Sequence, residues 1–345
     1  DLDTAAGAAG AGARVAPAVP DGDVAAATAA LLDDTLVSVI VPTYNRRALL
    51  LRAVEHILTR QTHTNVEVVV VDDSDACVDA RAFERVLGAR ARELLPKLKY
   101  HCLRTRRHSI GEKRNYAVAR AKGRVVAFWD DDDTYAPGRL RAQLAHLLAH
   151  GHDVVALHFS YILDVHVRPL VLYRLAQPAL AGPHFGTLMY RAELAEQGYH
   201  FPNTSLAEDY TFVETVLGHG ARLGVLDYDW LYLRHDNTWS EFDADALGDN
   251  LRRVADADAP AWLTAADRRF FAALGDHGAR DRTDVAAAAS ATTPPPRAKA
   301  AAKAAARSGG RKRSIAVNRF PTPHSSLDKQ QRAQRRAAAA AAVAA

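Results

Sequence analysis

The sequence predicts an α/β fold, a single domain with a mostly parallel central sheet flanked by helices. Short runs of β-branched residues, such as LVSVIVP and VEVVVVD, alternate with segments of helical periodicity such as RRALLLRAVEHILTRQ. Strands that alternate with helices pair in parallel, because each crossover returns the chain to the same edge. VEVVVVD is a continuous β-branched run rather than an alternating one, which is typical of a strand buried on both faces.

The predicted elements follow one another regularly through the first half of the chain. LVSVIVP, VEVVVVD, KLKYHCLR and RVVAFWD are predicted as strands, and RRALLLRAVEHILTRQ, VDARAFERVLGARARELL and GEKRNYAVARAKG as the helices between them. We expect Gly123 to close the last of these helices. After Gly151 the pattern changes to the strands DVVALHFSYILD, HVRPLVLYRLA and HFGTLMYR, the helix AEDYTFVETVLGHG, and one or two strands in ARLGVLDYDWLYLRH.

The two ends of the chain differ in composition from this body. Residues 1–34 are rich in Ala and Gly and predict a disordered leader, and residues 280–345 predict a basic, Ala-rich, low-complexity tail. The domain between them spans 35–279, with halves at 35–150 and 151–279. The tail holds 14 Lys and Arg against three acids, so its formal charge is +11 and that of residues 1–279 is −7.

Several classes of protein are disfavoured by what the sequence lacks. No apolar run approaches the roughly 20 residues of a membrane-spanning helix, so we expect no integral membrane segment. The first residues do not combine a basic region with a compact apolar one, as a secretory signal does. Cys77 and Cys102 are the two cysteines, too few for a disulfide framework, and we expect both to be free buried thiols. Together these features predict a cytoplasmic protein, or one at the cytoplasmic face of a membrane.

Polar clusters follow three of the predicted strands, at the edge where ligands bind in parallel sheets. They are PTYNR after the first strand, DDSD after the second and DDDD, Asp130 to Asp133, after the fourth. Clustered carboxylates suit Mg²⁺ or Mn²⁺ shared with a substrate phosphate. The alternative is a solvated turn whose aspartates cap the next helix. No GxGxxG follows a strand and no GxxxxGK[ST] occurs, so bound phosphates would be held by a metal and side chains.

Further candidates lie at two predicted helix starts and near the end of the body. Lys113, Arg114 and Asn115 begin a helix, where anions are favoured. Glu208 and Asp209 occupy a first helical turn, where acids are favoured in any case. His235, in LRHDNTW, is one of 15 histidines.

The order of these motifs closely resembles the family 2 glycosyltransferases of the GT-A fold, a Rossmann-like architecture. The resemblance is carried by VSVIVPTYNR, LTRQTHTNVEVVVVDDSD, GEKRNYAVARAKGRVVAFWDDDDTYAPGRL and AEDYTFVETV, and covers about Val37 to His235. It implies an inverting transferase with a nucleotide-binding half at 35–150 and an acceptor half at 151–279. The donor would be a nucleotide-diphosphate sugar, UDP-linked by default, with Mn²⁺ or Mg²⁺ on its diphosphate. The acceptor would be a hydroxyl of a glycan, lipid or protein.

The resemblance also implies roles for individual residues around the donor. The loop beside the nucleotide would be formed by Pro42, Thr43, Tyr44, Asn45 and Arg46. Asp72 would hold the base, although DDSD stands where DDGS is common. Arg114 and Asn115 match an Arg-Asn pair near the nucleotide-sugar.

The acids of the DxD motif and the catalytic base are implied in the same way. Asp130 would face the ribose and sugar and share the metal, and Asp132 would ligate the metal. Asp131, where a small residue is usual, lies between them as the spacer beside the donor, and Asp133 continues the run. Asp209 matches the catalytic base, with Glu208 as its neighbour. His235 would be a late ligand near the metal or diphosphate.

Two other functions remain open from sequence. A nucleotidyltransferase on a similar sheet would carry a Gly-rich, basic loop after the first strand, and PTYNR is not such a loop. A catalytically idle domain in a larger scaffold could instead act through the tail, with RKR at 311–313 contacting nucleic acid or an acidic surface weakly.

Overall fold

The computed structural model describes residues 29–165, 170–235 and 250–274. Residues 1–28 and 280–345, which hold most of the predicted leader and the whole predicted tail, lie outside this described part. Residues 29–34, assigned to the leader from sequence, form a helix, α1, whose Leu32 is buried in the main hydrophobic core. These six residues therefore belong to the folded body.

A seven-stranded sheet forms the centre of the domain. Its strands are β1 Val37–Thr43, β2 Val66–Asp72, β3 Leu98–Cys102, β4 Val125–Phe128, β6 Val154–His158, β9 Pro183–Arg191 and β10 Leu223–Leu226. Their order across the sheet is β10-β6-β9-β4-β1-β2-β3. All neighbours pair in parallel except β9, which is antiparallel to both β4 and β6. The predicted α/β class with a mostly parallel central sheet is confirmed.

Helices cover both faces of this sheet. They are α2 Arg47–Arg60, α3 Ala80–Leu87, α4 Ala91–Leu94, α5 Ile110–Val118, α6 Arg139–Ala149, α7 Pro178–Ala181, α8 Glu193–Glu196 and α9 Glu208–Gly218. Side chains of one strand alternate between two cores: Val39 and Val41 pack with α2 and α6, and Ile40 packs on the opposite face with α9. Because both faces are covered, every residue of β1 and β2 is buried, including the polar residues Ser38, Thr43, Glu67 and Asp72.

A second sheet, of five strands, was not distinguished from sequence. Its strands are β5 Thr134–Tyr135, β7 Tyr161–Asp164, β8 Val171–Leu175, β11 Trp230–Arg234 and β12 Leu251–Arg253, in the order β12-β8-β7-β11-β5. DVVALHFSYILD, predicted as one strand, is β6 and β7, which join different sheets across Phe159 and Ser160. The last predicted segment likewise divides into β10 and β11. Hydrophobic patterning does not reveal such a division because both strands of each pair are apolar.

A final helix, α10 at 265–274, is fastened to α2 by a buried carboxylate. Asp267 accepts hydrogen bonds from the backbone and hydroxyl of Thr264 and from Arg52 and Arg60, and lies 3.3 Å from His56 Nε2. Burial alone would raise the pKa of Asp267. The hydrogen bond to His56 and the charge on Arg52 outweigh burial and hold the pKa well below its ordinary value.

Two expectations from sequence are wrong in the described structure. Cys77 and Cys102 are not free thiols but form a disulfide, with Cα atoms 6.0 Å apart, that ties the loop after β2 to the end of β3. The cysteines therefore give no support to the cytoplasmic location predicted from sequence. Gly123 does not close a helix, since α5 ends at Val118. A Cβ on Gly123 would lie 2.7 Å from the backbone nitrogen of Ser38, so glycine is required there for close approach of two chain segments.

Candidate active site

The four aspartates connect the two sheets. Asp130 follows Trp129 at the carboxyl end of β4, where the Trp129 amide continues the strand by donating to the Ile40 carbonyl. The Asp133 amide donates to the Asp130 carbonyl and closes a turn, and Thr134 then begins β5 of the second sheet. The alternative that these aspartates cap the next helix is wrong, because α6 begins after Gly138 without a side-chain cap.

The four carboxylates have different surroundings. Asp131 is 2% exposed and accepts hydrogen bonds from the Thr43 hydroxyl at 2.6 Å and from Arg46 at 2.8 Å. Asp132 lies 3.0 Å from Arg46 and 2.9 Å from His235 Nε2. Asp133 accepts a hydrogen bond from Tyr135. Asp130 is the most accessible of the four: its side chain is 30% exposed.

These surroundings set the ionisation of the run. Burial, reinforced by neighbouring carboxylates, raises the pKa of Asp130 to about 7 even though Arg114 opposes the rise. Burial also raises the pKa of Asp131, against Arg46, and raises that of Asp133 well above its ordinary value. Asp132 differs because Arg46 and His235 outweigh the effect of burial and lower its pKa. At Asp130, Asp131 and Asp133, burial and neighbouring carboxylates therefore outweigh the effect of the nearby cations.

Arg114 joins the aspartate run to the start of α9. Its guanidinium is buried between Glu208 at 2.8 Å, Asp130 at 3.3 Å and Asp209 at 4.0 Å. Helix α5 positions it through a capping box, in which the Ser109 side chain and Glu112 satisfy the first amides. Asn115, which was predicted to act beside Arg114 near the donor, has a different role in this structure. Its side chain exchanges two hydrogen bonds with the backbone of Phe201 and so holds the chain segment before α9.

The two acids of α9 are not equivalent. Ala207 enters the helix with a φ of 55°, a left-handed conformation uncommon outside glycine, and places both acids toward Arg114. The Glu208 side chain is 5% exposed, and burial raises its pKa against the effect of Arg114. The Asp209 side chain is 25% exposed and accepts a hydrogen bond from the backbone amide of Tyr210.

The first loop after β1 is tied to the second by hydrogen bonds. The Asn45 amide donates to the Ser74 hydroxyl, and its side chain exchanges two hydrogen bonds with Asp75. The ring of Tyr44 lies 3.1 Å beneath the guanidinium of Arg107 and remains partly exposed. Pro42 is buried as the penultimate residue of β1.

The acids after β2 are directed inward. Asp72, predicted to hold a base, is 1% exposed and accepts hydrogen bonds from the Ser74 amide and the Tyr100 hydroxyl. Asp73 is 5% exposed and forms an ion pair with Lys113 at 2.8 Å. Lys113 is therefore directed at this loop and not at solvent. Neither carboxylate projects into the open side of the edge in this structure.

His184 of β9 was missed from sequence. A Cβ on Gly186 would lie 2.9 Å from Asp130 Oδ2 and 2.7 Å from His184 Cε1, so glycine permits the approach of both side chains. The ring packs edge-on against Phe159 and near Trp230, and burial lowers the pKa of His184 to about 4. The imidazole is thus neutral at neutral pH. HFGTLMYR carries no signal for this position, because it reads as an ordinary buried strand.

The donor set fits a divalent cation that is completed by a substrate. The two carboxylates of Asp130 and Asp132 and the imidazole of His235 are ligand types that Mn²⁺ accepts. A buried oxygen of Asp133 also has no hydrogen-bond partner within the described ranges. Among the described residues, these ligand atoms do not converge within 4.8 Å of one another. Phosphate oxygens would therefore complete the coordination, as is common for Mg²⁺ sites.

A family model and several known proteins match the part of the chain that contains this site. Residues 38–174 match the family model described as Glycosyl transferase family 2. Succinoglycan biosynthesis protein ExoO of Rhizobium meliloti is 27% identical over 210 residues, which are 55% of this chain and 58% of that protein. The UDP-Glc:alpha-D-GlcNAc-diphosphoundecaprenol beta-1,3-glucosyltransferase WfgD of Escherichia coli is 31% identical over 117 residues, 34% of this chain and 43% of that protein.

A solved structure was also found. S. aureus TarS 1-349 in complex with UDP-GlcNAc is 27% identical, with a TM-score of 0.44 over 59% of each chain. This chain spans about half the length of the curated relatives it matches. None of the helices in the described ranges combines the length and apolar character needed to cross a membrane. Residues 38–174, the part of the chain that holds the aspartate run, are therefore similar to glycosyl transferase family 2.

Proposed function

We propose that this protein transfers a sugar from a nucleotide-diphosphate donor to an acceptor hydroxyl with inversion at the anomeric carbon. The observation that carries the proposal is the buried Arg114, which holds Asp130 of the DxD run beside Glu208 and Asp209 of α9. A donor-side carboxylate and a candidate base thus both lie within 4.0 Å of one guanidinium. Displacement by a single nucleophile between them requires no covalent enzyme intermediate.

Asp209 is the proposed general base. Its side chain is 25% exposed, whereas Glu208 is 5% exposed and forms the closest ion pair with Arg114. An acceptor hydroxyl can reach Asp209, which would take its proton as the oxygen attacks the sugar. Glu208 instead fixes Arg114, and through it the position of Asp130. His184 lies nearby as a neutral imidazole and contributes no competing charge.

Asp132, Asp130 and His235 are the proposed residues that hold Mn²⁺ or Mg²⁺. When bound, the ion would neutralise charge that develops on the leaving diphosphate. The Arg46 guanidinium forms ion pairs with the carboxylates of Asp131 and Asp132 in this structure, at 2.8 and 3.0 Å. As a cation at the same edge, Arg46 would also attract the diphosphate.

The proposed donor is a UDP-sugar, bound against the first loop. The name of the relative WfgD includes UDP-Glc, which supports uridine as the nucleotide. Tyr44 and Arg46 provide the partly exposed side chains of the first loop, and Thr43 fixes the loop to Asp131. Contact between Asp72 and a base would require the Tyr100 hydroxyl to release this carboxylate.

The base assignment is tested with Asp209→Asn and a matched control on the same helix, Glu214→Gln, whose side chain is exposed. A panel of nucleotide sugars with Mn²⁺ or Mg²⁺ is first screened for hydrolysis and transfer, which identifies the donor. We expect Asp209→Asn to lower the transfer rate about 100-fold or more while UDP affinity stays within about two-fold. Glu214→Gln should match wild type. Loss of UDP binding in Asp209→Asn, or retention of its rate, contradicts the assignment.

A further inference from the structure

Three histidines gather at the opposite edge of the central sheet from the aspartate run. His146 lies in the last turn of α6, His150 follows the helix end, and His152 precedes β6. One ring nitrogen from each histidine can be chosen so that the three nitrogens all lie within 4.8 Å of one another. The ring centroids are 4.4 Å apart for His146 and His150, and 5.1 Å apart for His146 and His152. The spacing is visible in the sequence as HLLAHGH.

The contacts of two of the rings, His150 and His152, leave a nitrogen of each without a partner in the described part of the protein. His150 Nδ1 lies 3.1 Å from the His146 carbonyl, and an N–H donated there fixes the tautomer in which Nε2 carries a lone pair. The buried Nδ1 of His152 has no hydrogen-bond partner among the described residues. A buried polar atom without a partner is unfavourable unless a ligand satisfies it.

The edge strand β10 makes room for these rings. A Cβ on Gly224 would lie 2.5 Å from His152 Nδ1 and 2.9 Å from His146 Cδ2, so any other residue would displace the two imidazoles. The nearby cation, Arg222, donates to the Gly151 carbonyl and lies 4.0 Å from the carboxylate of Asp153. That carboxylate offsets the charge of Arg222 beside the rings.

We propose that His146, His150 and His152 bind a divalent transition metal ion of the Zn²⁺ class. Imidazole is a preferred ligand of Zn²⁺, and two histidines spaced i and i+4 on a helix are a common part of such sites. Three protein ligands leave a fourth position for water. Tetrahedral Zn²⁺ requires nitrogen atoms about 3.4 Å apart. A small rotation of the exposed His150 ring about this contact would supply the contraction.

The ion fastens the end of α6 to the start of β6. It binds the folded state and not the unfolded chain, so it stabilises the fold in proportion to its concentration above the dissociation constant. The site is separate from the aspartate run, because His152 precedes the amino end of β6 whereas Asp130 follows the carboxyl end of β4.

The test uses the full chain without an affinity tag and two single variants. His150→Gln removes one proposed ligand at an exposed position. His219→Gln is the matched control, since His219 is also exposed, follows a helix end and places Nδ1 2.8 Å from the carbonyl four residues earlier. Zn²⁺ binding is measured by calorimetry in excess Mg²⁺, which occupies carboxylate sites. Co²⁺ absorption reports tetrahedral coordination.

We expect wild type and His219→Gln to bind the same number of Zn²⁺ equivalents and to gain the same thermal stability. His150→Gln should bind one equivalent at least about ten-fold more weakly and lose the Zn²⁺-dependent stabilisation. Equal Zn²⁺ affinity and stoichiometry in His150→Gln and wild type would overturn the proposal. So would the absence of Zn²⁺ binding to the wild-type chain.

Discussion

Replacing Arg114 with Met tests the cation at the centre of the candidate site. Methionine approximates the length of arginine and keeps apolar contact with Phe128, whose ring centroid lies 4.5 Å from the guanidinium. It removes the partner of Glu208, Asp130 and Asp209, at 2.8, 3.3 and 4.0 Å. Loss of one partner of a buried ion pair costs about 3–5 kcal/mol, because the remaining charge stays buried.

The cost of Arg114→Met should depend on pH in a definite direction. Burial already raises the pKa of Asp130 to about 7 and raises that of Glu208, and loss of Arg114 raises both further. Below these raised pKa values the folded variant binds protons that the unfolded chain does not, so its stability increases as pH falls toward the unfolded pKa of about 4. The destabilisation should be largest near pH 8 and smaller at pH 5.5 by about 1 kcal/mol or more.

Urea unfolding of both proteins at pH 8 and pH 5.5 measures the difference. The control is Arg120→Met, which removes an exposed arginine stacked 3.5 Å from the Tyr116 ring just beyond the end of α5. We expect the control to change stability by no more than about 0.5 kcal/mol at either pH. A cost for Arg114→Met below about 1 kcal/mol at pH 8, or one equal at the two pH values, would refute the reasoning.

Two further predictions concern stability away from the site. Asp267→Asn should lower the free energy of unfolding by about 3 kcal/mol at pH 7. The depressed pKa of Asp267 stabilises the fold at pH values above the unfolded pKa of about 4, so the cost of the substitution should shrink as pH falls below that value. Urea unfolding measures the cost, with the substitution Asp258→Asn at an exposed position as the control. An unchanged cost at pH 3.5 would contradict the prediction. Cys102→Ser should cost about 3 kcal/mol by releasing Cys77. Reductant should lower the unfolding midpoint of wild type to that of Cys102→Ser, and no effect of reductant would exclude the disulfide as a source of stability.

The elements that position the site could be predicted because local patterns determine them. Short, largely apolar runs identify β1, β2 and β4, and the parallel pairing places PTYNR, DDSD and DDDD at one edge. Proximity of Arg114 and Asp130 to the acids of α9 was implied by the resemblance and not by any local pattern. It depends on a contact between segments 94 residues apart.

The inward orientation of polar side chains in the predicted motifs could not be predicted from the sequence. Asp72 and Asn115 belong to polar motifs, yet both are satisfied by groups of the protein itself, the Tyr100 hydroxyl and the Phe201 backbone. The disulfide was missed for a related reason. Cys77 lies in a loop and Cys102 in a strand, and only the pairing of β2 with β3 brings them together. Partners of this kind are a consequence of the tertiary fold.

The aspartate run is possible because its members do not share one environment. Like charges in sequence repel, but the turn between β4 and β5 directs the four carboxylates toward different groups. Asp131, expected to be a spacer beside the donor, is buried against Thr43 and Arg46, where it fixes the first loop. Asp132 shares Arg46 with Asp131 and also contacts His235, and Asp130 remains accessible beside Arg114. Burial, together with the repulsion that is left, raises the pKa of Asp130, and a divalent cation bound there would offset that repulsion.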